Sequence, residues 1–322
     1  MVNGKSDAAL SAFLAMWPAE TAVTGQKEIA RGQANDGVYL YYLSCSIDTE
    51  GGRESCPRKV VRKRTANTQE YVLAKALERA RRTGQQPRTF PDIYMARRTM
   101  GRADLFLEYV PGVGSRPSSL KPRHARAIAS SLGDVRAMDF LPLEKVESGT
   151  LLKARARRMR AWNDMGFPRE LGLMDSDALF WEARSRLKGT NTVISHNDIG
   201  WPNCSLKKRE GASARFIDFA LMGYNTEGAD LHHMLRDAIT EGGWPFFVEL
   251  VGVCSRKWRV NQEVLWAGCA EFAIYRGFQR IQRFLKAGNR DKAVKESVWL
   301  RELPAKMSAV QTTTAERRSG KE

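Results

Sequence analysis

Three residues in the second half of the chain have the chemistry to take up a proton and to hold a hard cation. Asp198 and Asn203 stand five apart in Val193-Ile194-Ser195-His196-Asn197-Asp198-Ile199-Gly200-Trp201-Pro202-Asn203-Cys204-Ser205-Leu206, and Asp218 lies in Phe216-Ile217-Asp218-Phe219. Apolar runs flank both sets and read as short buried strands. A turn at Glu210-Gly211 closes them into a hairpin that brings Asn203 beside Asp218. Phosphoryl transfer needs parts of this kind: a carboxylate that orients an attacking hydroxyl and accepts its proton, and an oxygen pair that holds Mg²⁺ against nucleotide phosphates. Asp198 fits the first role, Asn203 and Asp218 the second. Polar residues that merely cap turns are the plain alternative; loop, hairpin and second Asp occurring together in this order argue against it.

The preceding half must supply whatever grips the phosphates. From Glu28 the pattern is β: Glu28 to Arg31, a turn Gly32-Gln33-Ala34-Asn35-Asp36-Gly37, then Val38-Tyr39-Leu40-Tyr41-Tyr42-Leu43. Such a turn, with Gly32 and Asn35 in it, can lay backbone N–H groups over phosphates, although a plain hairpin has the same appearance. A third strand, Lys59 to Arg64, offers a cation. Strand side chains alternate, so Lys63 is the phosphate ligand if Val61 faces inward, and Arg62 if the register slips by one. The helix from Asn67 to Arg82, capped by Asn67 or Thr68, carries Glu70 in its first turns, where it either braces the strand cation or complements the helix dipole. Strands follow at Ile93 to Arg98 and Leu105 to Val110, the second broken by Pro111-Gly112. Its end can bind an adenine through Glu108 C=O and Val110 N–H.

The remainder is mostly helical, with helices at Arg123 to Met138, Leu151 to Trp162 and Ala178 to Leu187 and a long amphipathic one from Val264 to Leu285. Asp230, in Gly228-Ala229-Asp230-Leu231, opens a further helix and either caps it or braces the loop that carries Asp198.

Bulk properties narrow the classes. The 322 residues are 43% hydrophobic and carry a formal charge of +16, which favours anionic partners such as nucleotides. The Lys and Arg are dispersed, and no nucleic-acid-binding motif accompanies them. No apolar run is long enough to span a membrane, and the N-terminus lacks a basic lead, so a cytoplasmic protein is expected. Five scattered cysteines and four histidines predict neither a disulfide framework nor a zinc site; the adjacent His232 and His233 read as structural or surface residues.

In this order the pieces resemble the aminoglycoside phosphotransferase and choline kinase-like superfamily, over roughly residues 27 to 300. The motifs are His196-x-Asp198-x-x-x-x-Asn203, Ile217-Asp218-Phe219, Gly32-x-x-Asn35, the Val-Val-Arg-Lys strand, Leu107-Glu108-Tyr109-Val110-Pro111-Gly112 and Gly228-x-Asp230-Leu231. The glycine turn is poor in glycine and Ala220 follows Asp218-Phe219, both departures from the pattern. The resemblance implies an α+β, bilobal protein-kinase-like fold with a small β-rich N-lobe and a larger, mostly helical C-lobe. It divides the chain into an extension (1–26), a nucleotide-binding lobe (27–110), a catalytic and acceptor-binding lobe (111–305) and a disordered tail (306–322). It implies an ATP- or GTP-dependent phosphotransferase with Asp198 as base, Mg²⁺ on Asn203 and Asp218, Lys63 and Glu70 at the phosphates, Glu108 to Val110 as hinge, and His196 and Asp230 supporting the loop. Only eleven residues separate Asp218 from Asp230 and no Ala-Pro-Glu follows; a protein substrate needs a longer segment. A small-molecule hydroxyl is the expected acceptor, of an amino alcohol, a sugar, an anionic saccharide or an aminoglycoside-like compound. The alternatives are a catalytically silent nucleotide-binding or scaffold protein of the same fold, or a basic nucleic-acid-associated protein.

Overall fold

The computed structural model describes residues 7–18, 20–30, 35–44, 56–114, 116, 119–206 and 213–318. Gly32, the Glu210-Gly211 turn and the side chain of Asn35 lie outside what is described. The chain divides into two compact units, one of Met1–Gly112, Phe140–Pro142 and Arg215–Leu221, the other of Val113–Asp139, Leu143–Ala214 and Met222–Glu322.

The first unit contains α1 (Ala8–Leu14), β1 (Ala22–Ala30), β2 (Asn35–Ser44), β3 (Lys59–Thr65), α2 (Thr68–Arg82), β4 (Ile93–Thr99) and β5 (Arg102–Glu108). The five strands form one antiparallel sheet in the order β1-β2-β3-β5-β4. Alternation along β3 sends neighbouring cations to opposite faces. Arg62 reaches Asp104, Tyr41 and Asp7, the N-cap of α1, whereas Lys63 reaches Glu70 on α2. The two helices therefore cover opposite faces. Ala9 and Phe13 of α1 are buried with Val60, Tyr94 and Phe106, and Phe13 stacks on Phe106 at 4.4 Å. Strand structure begins at Ala22 rather than Glu28. Cys56 is disulfide-bonded, which the scattered cysteine spacing did not predict.

The second unit contains α3 (Pro122–Arg136), α4 (Ser148–Asp164), α5 (Phe167–Glu170), α6 (Met174–Arg186), β6 (Thr192–Ser195), β7 (Cys204–Leu206), the start of β8 (Ala214–Phe216), β9 (Gly223–Thr226), α7 (His232–Thr240), α8 (Trp244–Trp258), α9 (Gln262–Lys286) and α10 (Arg290–Arg318). The tail expected from residue 306 is helix as far as Arg318, despite Pro304 within it. Among the described residues no helix is long and apolar enough to cross a membrane. The axis of this unit is α9, with Leu265, Cys269, Ala270, Ile274, Phe278 and Ile281 buried. At Gly268 it touches the backbone that leads to Asp230: a Cβ there would lie 1.6 Å from Glu227 O, and one on Gly228 would lie 2.2 Å from Leu265 O. Gly228 also has a φ of +81°, open to glycine at little cost.

Gly268→Ala forces α9 off this segment and is expected to destabilise the fold by about 1–3 kcal/mol or more. Urea unfolding monitored by circular dichroism measures it, and an unchanged midpoint contradicts the contact.

Candidate active site

In the first unit the chemistry gathers around one ammonium. Lys63 Nζ lies 2.5 Å from Glu70 Oε1 and 2.9 Å from Asp218 Oδ1. Glu70 is 1% exposed and Lys63 7%, so the charges compensate one another in a setting where an unpaired ion is costly. Burial pulls the Lys63 pKa down, but Glu70 and Asp218 outweigh it and raise it, keeping the ammonium charged. The Asn67 side chain accepts the Glu70 N–H (3.2 Å) and caps α2, which fixes where Glu70 stands.

The segment that carries Asp218 is held to Glu108 at the end of β5 and to the turn before β4. Arg215 donates to both carboxylate oxygens of Glu108 and to Phe90 O; Phe216 N–H donates to Thr89 O (2.8 Å); and Phe219 meets Phe90 edge-on at 6.0 Å. Asp218 itself sits at a φ of +60°, an uncommon conformation for a non-glycine residue that recurs at functional sites. Thus Lys63, and not Arg62, shares a site with Glu70 and Asp218. The Glu108 side chain is committed to Arg215, and Val110 is buried.

In the second unit the chemistry gathers around Asp198. Its Oδ1 is 2.9 Å from His233 Nε2, and its Oδ2 accepts from Asn203 Nδ2 at 2.9 Å. With the amide nitrogen turned to Asp198, the Asn203 Oδ1 is the atom left to serve as a cation ligand. Burial raises the Asp198 pKa, but the His233 bond and the charges of His233, His196 and Arg276 bring it below the ordinary 3.8, so it is a carboxylate at neutral pH.

The loop beneath it is built by pairing and by buried acceptors. β6 pairs with β9, Ser195 opposite Gly223, and the chain turns at Asn197 with a φ of +65°. The Asn197 N–H donates to Asp230 Oδ1 at 2.8 Å, so Asp230 braces the loop rather than capping α7. Asn225 on β9 donates to Asn197 Oδ1 and accepts from Arg155, which is paired with the buried Glu271 at 2.5 Å. His196 is fully buried in this loop. Sequence reasoning missed His233, Asn225 and Arg155. The signal for His233 was its place three residues beyond Asp230, nearly one helical turn; the other two have none, because α4, β9 and α9 meet only in the folded chain.

Among the described residues no group of three or more His, Cys, Asp or Glu is arranged to hold a metal ion. Asp218 in the first unit and Asn203 in the second each carry an oxygen of the hard type that Mg²⁺ takes.

No protein-family model and no curated protein sequence matches the chain. Solved structures do. The GDP and kanamycin complex of APH(2")-IIia superposes with a TM-score of 0.64 at 14% identity, covering 92% of this chain and 98% of that one. Spectinomycin phosphotransferase APH(9)-Ia, solved with ADP and spectinomycin, gives 0.58 at 11% identity over 87% and 89%. Choline kinase from Cryptosporidium parvum gives 0.56 at 13% over 92% and 90%. At these identities the likeness is one of fold: α+β and kinase-like, a five-stranded antiparallel sheet followed by a mostly helical part. The expected fold class is borne out.

Burial pushes the Asp230 carboxyl up to about 6, against the N–H bonds of Asn197 and His196 and the charge of Arg136. Folding thus favours its protonated form. That contribution is complete below the ordinary 3.8 and is lost as pH rises through about 6. Measured against Asp230→Asn, which does not titrate, the wild-type protein is expected to gain about 1 kcal/mol of unfolding free energy between about pH 7.5 and pH 5. Urea titrations at the two pH values check it; a difference that does not change with pH contradicts the assignment.

Proposed function

We propose that the chain is a nucleoside triphosphate-dependent phosphotransferase that moves the γ-phosphoryl group of ATP or GTP to a hydroxyl of a small molecule. The observation that carries this reading is the convergence of Glu70 and Asp218 on Lys63, the latter across 155 residues of sequence. A buried cation braced by one carboxylate and shared with a second, more exposed one is the arrangement that receives a metal-bound triphosphate. Solved proteins of the same fold carry GDP or ADP, which supports a nucleotide as the donor.

In this reading Lys63 binds the α- and β-phosphates while Glu70 holds its ammonium in place. Asp218 and Asn203 hold Mg²⁺, which when bound neutralises charge on the phosphates. The backbone at Glu108 to Val110 receives the base. Asp198 orients the acceptor hydroxyl and takes its proton. A carboxylate held below its ordinary pKa is too weak a base to remove that proton outright, so transfer to Asp198 accompanies departure of the γ-phosphoryl group and its main contribution is orientation. His233 and Asn203 fix the carboxylate by one bond to each oxygen.

Asp198→Asn is expected to keep nucleotide affinity and lose about 10²–10⁴-fold in turnover, whereas Asp218→Ala is expected to weaken Mg²⁺-dependent nucleotide binding. Release of ADP or GDP across a panel of hydroxyl acceptors, with calorimetry for the nucleotide, tests both. Full turnover in Asp198→Asn overturns the role of the base, and release with no acceptor in the panel leaves the scaffold alternative standing.

A further inference from the structure

The surroundings of Asp198 are short of negative charge. Arg236 lies on α7, Arg276 and Arg280 one turn apart on α9, and Glu296 on α10. Glu296 alone serves two of the three guanidinium groups, Arg280 at 2.7 Å and Arg236 at 3.1 Å, and also accepts from Trp299. Arg276 forms no ion pair among the described residues; its bond is to the neutral Gln279 Oε1 at 2.7 Å. The buried Nε–H groups of Arg236 and Arg276 find no acceptor. Neighbouring carboxylates are committed elsewhere. Glu271 serves Arg155 and Glu241 serves Arg116, while burial and Glu241 push the Asp237 pKa up. Burial pulls the Arg276 pKa down, with Arg283 and Arg155 acting in the same direction and Asp198 and Tyr275 against them.

Several aromatic rings of this unit are not open to a cationic ligand. Phe247, Trp266 and Trp299 are core residues, and the faces of Phe272 and Tyr275 are already covered by the Arg155 guanidinium at 4.5 and 5.7 Å. A polycation, or a quaternary amine needing bare aromatic faces, meets arginine here instead.

We propose that the acceptor is an anionic hydroxy compound, one whose own carboxylate or phosphate is bound by Arg276 with Arg280 and Arg236 behind it. This rests on the reading that Asp198 serves a hydroxyl acceptor. A guanidinium left without a partner gains most from an anion that accepts two parallel hydrogen bonds.

The test measures binding of glucuronate, glucose 6-phosphate, glucose, glucosamine and kanamycin to the full chain by calorimetry, and in parallel ADP or GDP release with each. Binding and turnover are expected for the anionic members. Arg276→Ala is expected to raise the acceptor KM by about tenfold to a hundredfold with the nucleotide KM unchanged, and Arg276→Lys to recover part of the loss. Turnover of glucosamine or kanamycin with the anions inert overturns the acceptor class and leaves the phosphotransferase reading intact. Anions that bind without any nucleotide turnover overturn the phosphotransferase reading and leave the anion site. Absence of anion binding, or an Arg276→Ala effect confined to the nucleotide KM, overturns the proposal.

Discussion

A carboxylate kept out of water holds the loop on which the proposed chemistry rests. Asp230 is 5% exposed and gives an oxygen to the Asn197 N–H, directly before Asp198. Its position depends on a backbone contact that tolerates only glycine, Gly228 and Gly268 being the two sides of it. An apolar residue in place of Asp230 would leave buried N–H donors without acceptors, each costing about 1–3 kcal/mol. The same loop receives a second tie through Asn225, Arg155 and Glu271, a run of buried polar groups hydrogen-bonded in series. Asp198 is thereby set on rigid backbone, and His233 and Asn203 need only fix its carboxylate.

The sheet unit solves a different problem with the same physics. Two adjacent basic residues on β3 are both buried, which is affordable only because strand alternation sends each to its own set of acids. Arg62 is spent on structure, joining Asp7, Asp104 and Tyr41 and so tying α1 to the sheet. Lys63 is placed where one of its partners, the Asp218 side chain, is 39% exposed. An ion pair with one open end is able to exchange a carboxylate for a ligand; a fully enclosed one is not.

The positive balance of the chain acquires a local meaning in the helical unit. Several of its arginines are matched to carboxylates or stacked on rings, as Arg136 is with Glu227 and Trp258. Arg276 on α9, whose charge acts on Asp198, forms no ion pair among the described residues. A net charge of +16 by itself describes only long-range attraction for anions; the unmatched guanidinium of Arg276 says where one would bind.

What the residues alone determined was the set of chemical parts and their order. The spacing of Asp198 and Asn203, the apolar run ending at Asp218, the alternation that offers Lys63 and the helix signals that put Glu70 in a first turn are all local patterns. Local patterns survive in sequence because they reflect backbone periodicity and turn chemistry. The strand segments of the first unit and the long helix α9 were legible for the same reason. Tertiary structure decided what depends on contacts distant in sequence: that α1 belongs to the core through Phe13 on Phe106, that Lys63 rather than Arg62 meets Glu70 and Asp218, that Asp230 braces the loop instead of capping a helix, and that His233 reaches Asp198. Each of these is a choice between faces or partners equally compatible with the local pattern. Only packing, the pairing of buried charge and the satisfaction of buried N–H groups discriminate between them.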